Sequence, residues 1–147
     1  MSAENEMGDE RNGAPIARAR AQAKITVQSS QAQPFGQGAG PALMEVRINE
    51  TFSGDIEGES SVMALQIQRQ DQSASMISLQ RLCGRLAGRQ GSFVLQGSET
   101  TEKGKITATW FVVPGSGTGK LSGLRGEGGF EGQFGKGSDG WLDYWFE

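Results

Sequence analysis

The sequence predicts an all-β protein, an eight-stranded antiparallel closed β-barrel that follows an N-terminal tail. Eight short runs alternate polar and apolar residues with a period of two. Turn-forming residues separate these runs, and no stretch carries a convincing apolar stripe at helical spacing. We favour a closed barrel over a sandwich because alternation over eight strands requires paired edges, which closure provides.

The chain divides into a tail, residues 1–20, and one barrel domain, residues 21–147. The tail holds few apolar residue types, so we expect it to be flexible and solvated. The strands are predicted, in order, near residues 24–28, 44–49, 63–68, 75–80, 92–96, 105–113, 118–124 and 141–146. Turns are predicted at residues 70–72, 88–91, 102–104 and 114–117. A barrel of eight strands has room inside for packed side chains or one small ligand.

Charge and hydropathy exclude two classes of partner. The 14 Lys and Arg residues against 17 Asp and Glu leave a net charge of −3, with no basic excess for the phosphates of a nucleic acid. The longest apolar run, residues 110–114, is far shorter than the ~20 residues that span a bilayer. No signal-peptide core follows the start, so we expect no membrane partner and a cytoplasmic location.

The absence of histidine removes the commonest general base, the Ser-His and Cys-His nucleophile pairs and any imidazole metal site. The single cysteine, Cys83, excludes an internal disulfide and any multi-thiolate metal site. We expect its thiol to be buried and inert, and we predict neither a cofactor nor a metal ion. The glycine-rich residues 114–130 are not a nucleotide-binding P-loop, because Pro114 and Leu121 occupy positions that need Gly and Ser or Thr.

Four segments resemble a bacterial domain-of-unknown-function family that is assigned an allene oxide cyclase-like barrel. They are FSGDIEGES (52–60), GRQGSFVLQ (88–96), VVPGSGTGKLSGLRG (112–126) and LDY (142–144). The wider superfamily includes plant allene oxide cyclases and dirigent proteins, which steer cyclisation or coupling of a reactive small molecule. The resemblance implies the barrel and a homo-oligomer. The sequence differs from family members that carry His after the SFVLQ run, where it has Gly97.

Side-chain parity supplies the candidate binding residues, on the hypothesis that the apolar parity of each strand faces the lumen. The residues predicted to contact a substrate are Glu57, Met63, Leu65, Ile67, Leu79, Phe93, Leu95, Glu99 and Trp110. Such a lumen would suit a small, mainly apolar ligand with one polar group.

Three residues of the same predicted lumen could carry chemistry. A desolvated Glu59 could act as general acid or base, because burial raises a carboxyl pKa. Arg81 could hold a carboxylate or enolate oxygen, and Tyr144 could donate a hydrogen bond to a developing oxyanion. The alternatives are a solvated strand end for Glu57 and Glu59, a salt bridge for Arg81 and core packing for Tyr144.

Three functional hypotheses stay open, and the superfamily resemblance supports the first. The first is a cofactor-independent cyclase or isomerase acting on an apolar, polyunsaturated or polyketide-like substrate in the lumen. The second is a non-catalytic, lipocalin-like binder or carrier of small apolar ligands. The third is a fully packed barrel that acts through its surface as an oligomer. The residues do not settle whether the protein is an enzyme.

Overall fold

The computed structural model of the protein describes residues 17–133 and 136–147. Its strands are β1 (Ala19–Pro34), β2 (Ala42–Gly54), β3 (Ile56–Gln68), β4 (Ala74–Leu86), β5 (Arg89–Glu102), β6 (Lys105–Val112), β7 (Leu124–Gln133) and β8 (Ser138–Phe146). A turn of 3-10 helix, Gly119–Leu121, lies between β6 and β7. Within these two ranges, no helix has the length and apolar character needed to cross a membrane.

The sheet closes on itself. Each strand pairs antiparallel with its neighbour in sequence, and β1 also pairs with β8. The closing register runs from Ala19 opposite Tyr144 to Ile25 opposite Ser138. Beyond a register shift between Val27 and Ser29, β1 continues beside β2 alone. The predicted eight-stranded antiparallel closed barrel is therefore confirmed, and closure satisfies the edges that β1 and β8 would otherwise expose.

Two predicted boundaries differ from the structure. The predicted tail lies outside the described residues as far as residue 16, but Ala19 and Arg20 already belong to β1. The seventh predicted strand, residues 118–124, is wrong, because residues 119–121 form the 3-10 turn and β7 begins at Leu124. Sequence reading missed β7 because glycine occupies four of its ten positions, which hides the alternation of side chains.

The hydrophobic core fills the half of the barrel that lies near the β2–β3 and β4–β5 turns. Its fully buried members include Ile56, Leu82, Leu86, Phe93, Leu95, Val112, Leu124 and Leu142. Leu121 of the 3-10 turn is also fully buried. The backbone N–H of Ser92 in β5 donates to the hydroxyl of Thr118 (3.0 Å), the residue just before this turn. The loop after β6 therefore packs against the core at this end of the barrel.

Trp110 lies at the middle of the barrel interior. Its ring centroid is 6.2 Å from that of Phe52 and 5.3 Å from that of Phe130. Its indole N–H donates to the backbone carbonyl of Trp141 (3.1 Å), so the buried polar atom is satisfied. These aromatic contacts connect β2, β6 and β7 across the interior.

The hypothesis that the apolar parity faces the lumen is wrong for β3 and β4. Their inward positions carry short side chains such as Ser60 and Ser78 as well as core residues such as Leu82, while Leu65 and Ile77 point outward. The hypothesis is correct for β5, β6 and β8, whose apolar parities are buried. The physical reason is that both parities of these two strands contain apolar residues, so alternation by itself does not identify the inward face.

Candidate functional site

A depression of about 910 Å³ crosses the outer surface of the barrel from β3 to β8, and we call it the outer groove. It lies between two rows of outward-facing side chains. The first row contains Leu65, Ile77, Ser98, Thr109 and Trp141, and the second contains Met63, Leu79, Gln96, Phe111, Glu127 and Asp143.

Strand register builds these rows. Leu65 pairs with Ile77 and Met63 with Leu79, and the same register continues into β5 and β6. The two rows are two residues apart along each strand, a spacing of about 6.6 Å. The backbone of the residues in between, which include Ser78, Gly97 and Trp110, forms the groove floor.

The two ends of the outer groove differ in polarity. At the β3–β4 end, Leu65, Ile77 and Leu79 expose 44%, 60% and 53% of their surface. At the β7–β8 end, Glu127 and Asp143 face Arg18, which precedes β1. An elongated ligand with an apolar end and a polar end would match this gradient.

Ion pairs occupy the charged groups at the polar end. Arg18 bonds Glu127 (3.1 Å), and its guanidinium carbon lies 4.1 Å from the ring centroid of Trp145. Arg20 donates two hydrogen bonds to the Asp143 carboxylate (2.7 and 2.9 Å). This contact lowers the pKa of Asp143 and raises the pKa of Arg20. The polar end therefore carries nearly balanced charge.

Two carboxyl groups, Glu50 of β2 and Glu99 of β5, point into the barrel, and we call them the interior acid pair. Ser78 donates to Oε2 of Glu99 (2.7 Å). The Gln80 amide donates to Glu50 (2.9 Å) and to the Ser60 hydroxyl (2.6 Å). Strand order brings together residues that lie up to 49 positions apart in the sequence, from Glu50 to Glu99.

Burial perturbs both acids. Desolvation raises the pKa of Glu50, partly offset by the hydrogen bond from Gln80. Burial, with a smaller contribution from the charge of Glu50, raises the pKa of Glu99 to about 7 against the hydrogen bond from Ser78. Glu99 is 5% exposed, and its Oε1 is buried without a hydrogen-bond partner. A carboxyl group with this pKa exchanges a proton readily at neutral pH.

Gly97 lies between the outer groove and the interior acid pair. A Cβ atom at this position would stand 2.7 Å from Oε2 of Glu99 and 3.0 Å from Oγ of Ser78. The missing side chain therefore makes room for the Glu99 carboxylate. Because the Gly97 backbone also borders the groove, the two features lie on opposite sides of the same stretch of sheet.

The structure does not bring the three predicted catalytic residues together. Glu59 and Arg81 are exposed on the outer face of β3 and β4, so their predicted place in the lumen is wrong. Tyr144 does face inward, where it packs against the core with its ring edge-on to Phe146 (centroids 6.1 Å apart). No contact between Tyr144 and the other two residues supports a shared catalytic role.

The predicted binding residues divide between the two sides of the barrel wall. Phe93, Leu95, Glu99 and Trp110 face inward, as predicted. The other five point outward, so their predicted place in the lumen is wrong. Met63, Leu65 and Leu79 line the outer groove, and Ile67 lies one row beyond it. Glu57 forms an ion pair with Arg85 (3.7 Å). Cys83, expected to be buried, is exposed.

Sequence reasoning missed Glu50, Ser60, Ser78 and Gln80. For the last three, β3 and β4 carry a signal, since short polar residues alternate there with apolar ones on the parity that faces the interior. The prediction instead places the bulkier residues of the other parity in the core.

A second depression of about 620 Å³ lies beside the outer groove, with Trp141 bordering both. Charged residues surround it, among them Lys24 and Asp139, which form an exposed ion pair (2.7 Å). In the ranges that the structure describes, no three His, Cys, Asp or Glu side chains form a group that could hold a metal ion.

Comparison with known proteins identifies relatives of the whole barrel. No curated protein matches the sequence. A crystal structure of a protein of unknown function from the DUF3224 family of Shewanella oneidensis MR-1 is similar, with a TM-score of 0.71 and 27% identity over 89% of this chain and 98% of that one. The wider relation to allene oxide cyclases and dirigent proteins stays a prediction. The profile of the DUF3224 family, proteins of unknown function, matches residues 21–147, and the chain therefore belongs to that family.

Proposed function

We propose that the protein binds a small, elongated, mainly apolar molecule, and that the outer groove is the binding site. The observation that carries this proposal is the clustering of exposed apolar side chains. Of the seven large hydrophobic residues that are exposed in the described part of the chain, Leu65, Ile77, Leu79 and Phe111 all line the groove. Clustered exposure of this kind marks binding surfaces, whereas single exposed residues are common everywhere.

Size and polarity support a ligand at this place. The volume of about 910 Å³ falls within the usual range of small-molecule sites. Because Arg18 and Arg20 already pair with Glu127 and Asp143, the polar end favours an uncharged group such as a hydroxyl or carbonyl. The hydroxyl groups of Ser98 and Thr109 and the Gln96 amide, between the two ends, supply further hydrogen bonds.

The neutral apolar fluorophore N-phenyl-1-naphthylamine tests the site directly. It should bind the wild-type protein and gain fluorescence, and Ile77→Ser should weaken binding by about tenfold, since losing this contact removes ~1.4 kcal/mol. Val27→Ser is the matched control, because Val27 is 53% exposed, close to the 60% of Ile77, but does not line the groove. Equal binding by the two variants would overturn the proposal.

Light scattering on the same variants tests the alternative that this face contacts a second copy of the chain, as the predicted homo-oligomer would require. If Ile77→Ser changes the molar mass in solution while probe affinity is unaffected, the apolar face is a subunit contact and not a ligand site.

A second candidate function, a cofactor-independent isomerase or cyclase, is favoured by one observation. Glu99 points into the barrel and has a pKa of about 7, in the range that suits a general acid or base at neutral pH. In this form of the hypothesis Glu99 takes the role predicted for Glu59, accepting a proton from one substrate carbon and returning it to another. Glu99→Gln should then abolish solvent deuterium incorporation into a candidate substrate, while Glu59→Gln should retain it.

A further inference from the structure

The interior acid pair lacks a cationic neighbour. Among the inward positions of the described strands, the other charged residue is Arg89 at the start of β5. Its guanidinium carbon lies 4.2 Å from the ring centroid of Phe146, and Arg89 is ten residues from Glu99 along the strand. Ten residues of strand span about 33 Å, so Arg89 cannot neutralise the pair.

The strands around the pair present no further titratable group. Toward Glu50, β3 presents Ser60 and β4 presents Gln80. Beside Glu99, β4 presents Met76 and Ser78 and β6 presents Ala108. Phe130 and Gly140, the next inward positions on β7 and β8, are uncharged, as is Ile25 on β1. Glu50 and Glu99 therefore have neutral polar side chains beside them, those of Ser60, Ser78 and Gln80, and no counter-charge on these strands.

The hydrogen bonds in the interior satisfy this pair only in part. Gln80 donates a hydrogen bond to Glu50, and Ser78 donates one to Oε2 of Glu99. Oε1 of Glu99 is buried and has no donor. Two nearby carboxylates without a counter-charge favour a state in which one of them is protonated. An added proton removes the charge repulsion and the cost of an ionised, unpartnered oxygen together.

We propose that the interior acid pair is a proton-binding site, occupied by one proton in the folded barrel near neutral pH, and that its occupancy controls the outer groove. The second half of this inference rests on the proposed function. The raised pKa values of Glu50 and Glu99 agree with the first half.

Ser78 and Gly97 provide the physical connection. The Ser78 side chain bonds Glu99, Gly97 leaves the space that the carboxylate fills, and the backbone of both residues forms the groove floor. When Glu99 ionises, the cost of a desolvated charge, together with repulsion from Glu50, displaces its carboxylate and disturbs the two residues beneath the groove. The groove therefore binds its ligand more tightly when the proton is present, and by linkage the ligand strengthens proton binding.

Carbon-detected NMR of the protein labelled with ¹³C at glutamate carboxyl groups tests the proton site without any ligand. We expect the Glu99 carboxyl signal to titrate with a midpoint near 7. The backbone amide signals of Ser78 and Gly97 should shift with the same midpoint. Glu99→Gln should remove these amide shifts, and Glu59→Gln, on the outer face, should leave them unchanged.

Titration of N-phenyl-1-naphthylamine between pH 5.5 and 8.5 tests the control of the groove. Wild-type affinity should fall several-fold as pH rises through 7, and the affinity of Glu99→Gln should not vary. A Glu99 titration midpoint below 5, or amide signals of Ser78 and Gly97 that do not respond, would overturn the proton site. Probe affinity that is independent of pH would overturn its control of the groove. Failure of the probe to bind at any pH would refute the proposed function and the control together, while the carboxyl titration still decides the proton site.

Discussion

The hydroxyl of Ser78 donates a 2.7 Å hydrogen bond to Oε2 of Glu99 inside the barrel. The backbone of Ser78 borders the outer groove on the other side of the sheet. This contact connects β4 to β5 through side chains as well as through the strand ladder. Because a β-sheet is one residue thick, a single position can contact a buried acid and a surface site at once.

Stability should depend on pH through Glu99. Its pKa is about 7 in the folded barrel, above the value of about 4.3 for an unfolded glutamate, so the folded state binds more protons between these values. The contribution of Glu99 to the free energy of unfolding should therefore be largest at low pH and fall as pH rises from about 4.3 to 7, by at most about 3 kcal/mol.

Urea unfolding of Glu99→Gln measures this effect, since the amide cannot ionise. The variant should be the more stable protein at pH 8, by about 2 kcal/mol, and should lose most of this difference at pH 4.5. Glu59→Gln serves as control, because Glu59 is exposed. A stability difference that is the same at both pH values would contradict the assignment.

Replacing Gln80 should destabilise the barrel in a pH-dependent way. Gln80→Leu removes the donor to Glu50 and raises the already raised pKa of this buried carboxyl group further. The cost should be about 2 kcal/mol at pH 8 and smaller at pH 4.5, where protonation removes the buried charge. Gln96→Leu, at an exposed position of β5, should show no such dependence in the same urea experiment.

The orientation of β4 and β5 can be checked by truncating one residue on each side of the sheet. Phe93 is 0% exposed and Leu79 is 53% exposed. We expect Phe93→Ala to reduce the free energy of unfolding by about 3–5 kcal/mol, and Leu79→Ala to change it by less than about 1 kcal/mol. Chemical denaturation of both variants provides the measurement. Similar losses for the two would mean that the face of β4 has been assigned incorrectly.

Close backbone packing between β3 and β4 should make Gly84 intolerant of any side chain. A Cβ atom there would collide with the backbone carbonyl of Glu57 and with the Cα atom of Gly58. Gly84→Ala should therefore lower the melting temperature by several degrees, since strand separation costs at least about 1–3 kcal/mol. Gly38→Ala is the control, because a Cβ atom at Gly38 meets nothing within 4 Å. An unchanged melting temperature for Gly84→Ala would contradict the close approach.

The local alternation of polar and apolar residues predicts the strands of the barrel. Period-two alternation located seven of the eight strands, and the turn at residues 102–104 follows from Lys103 and Gly104, which adopt positive φ angles of 53° and 80°. The remaining strand, β7, was not located, because its glycines have no side chains to alternate.

Alternation also determined which side chains share a face of a strand. Whether that face points into the barrel or toward solvent depends on the rest of the barrel. In β5 the pattern alone identified the inward face, because Phe93 and Leu95 are larger than any apolar residue of the other parity. In β3 and β4 both parities carry apolar residues, and only the closed barrel shows that Ala64 is buried and Leu65 exposed.

The interior acid pair is a product of the tertiary structure alone. Glu50 and Glu99 belong to β2 and β5, strands that are not neighbours in the sheet. Each lies just beyond a run that sequence patterning predicts as a strand, residues 44–49 and 92–96, and their proximity arises only when the sheet closes. Closure buries Glu99 and partly buries Glu50, and this desolvation, which no local pattern encodes, raises the pKa of both acids.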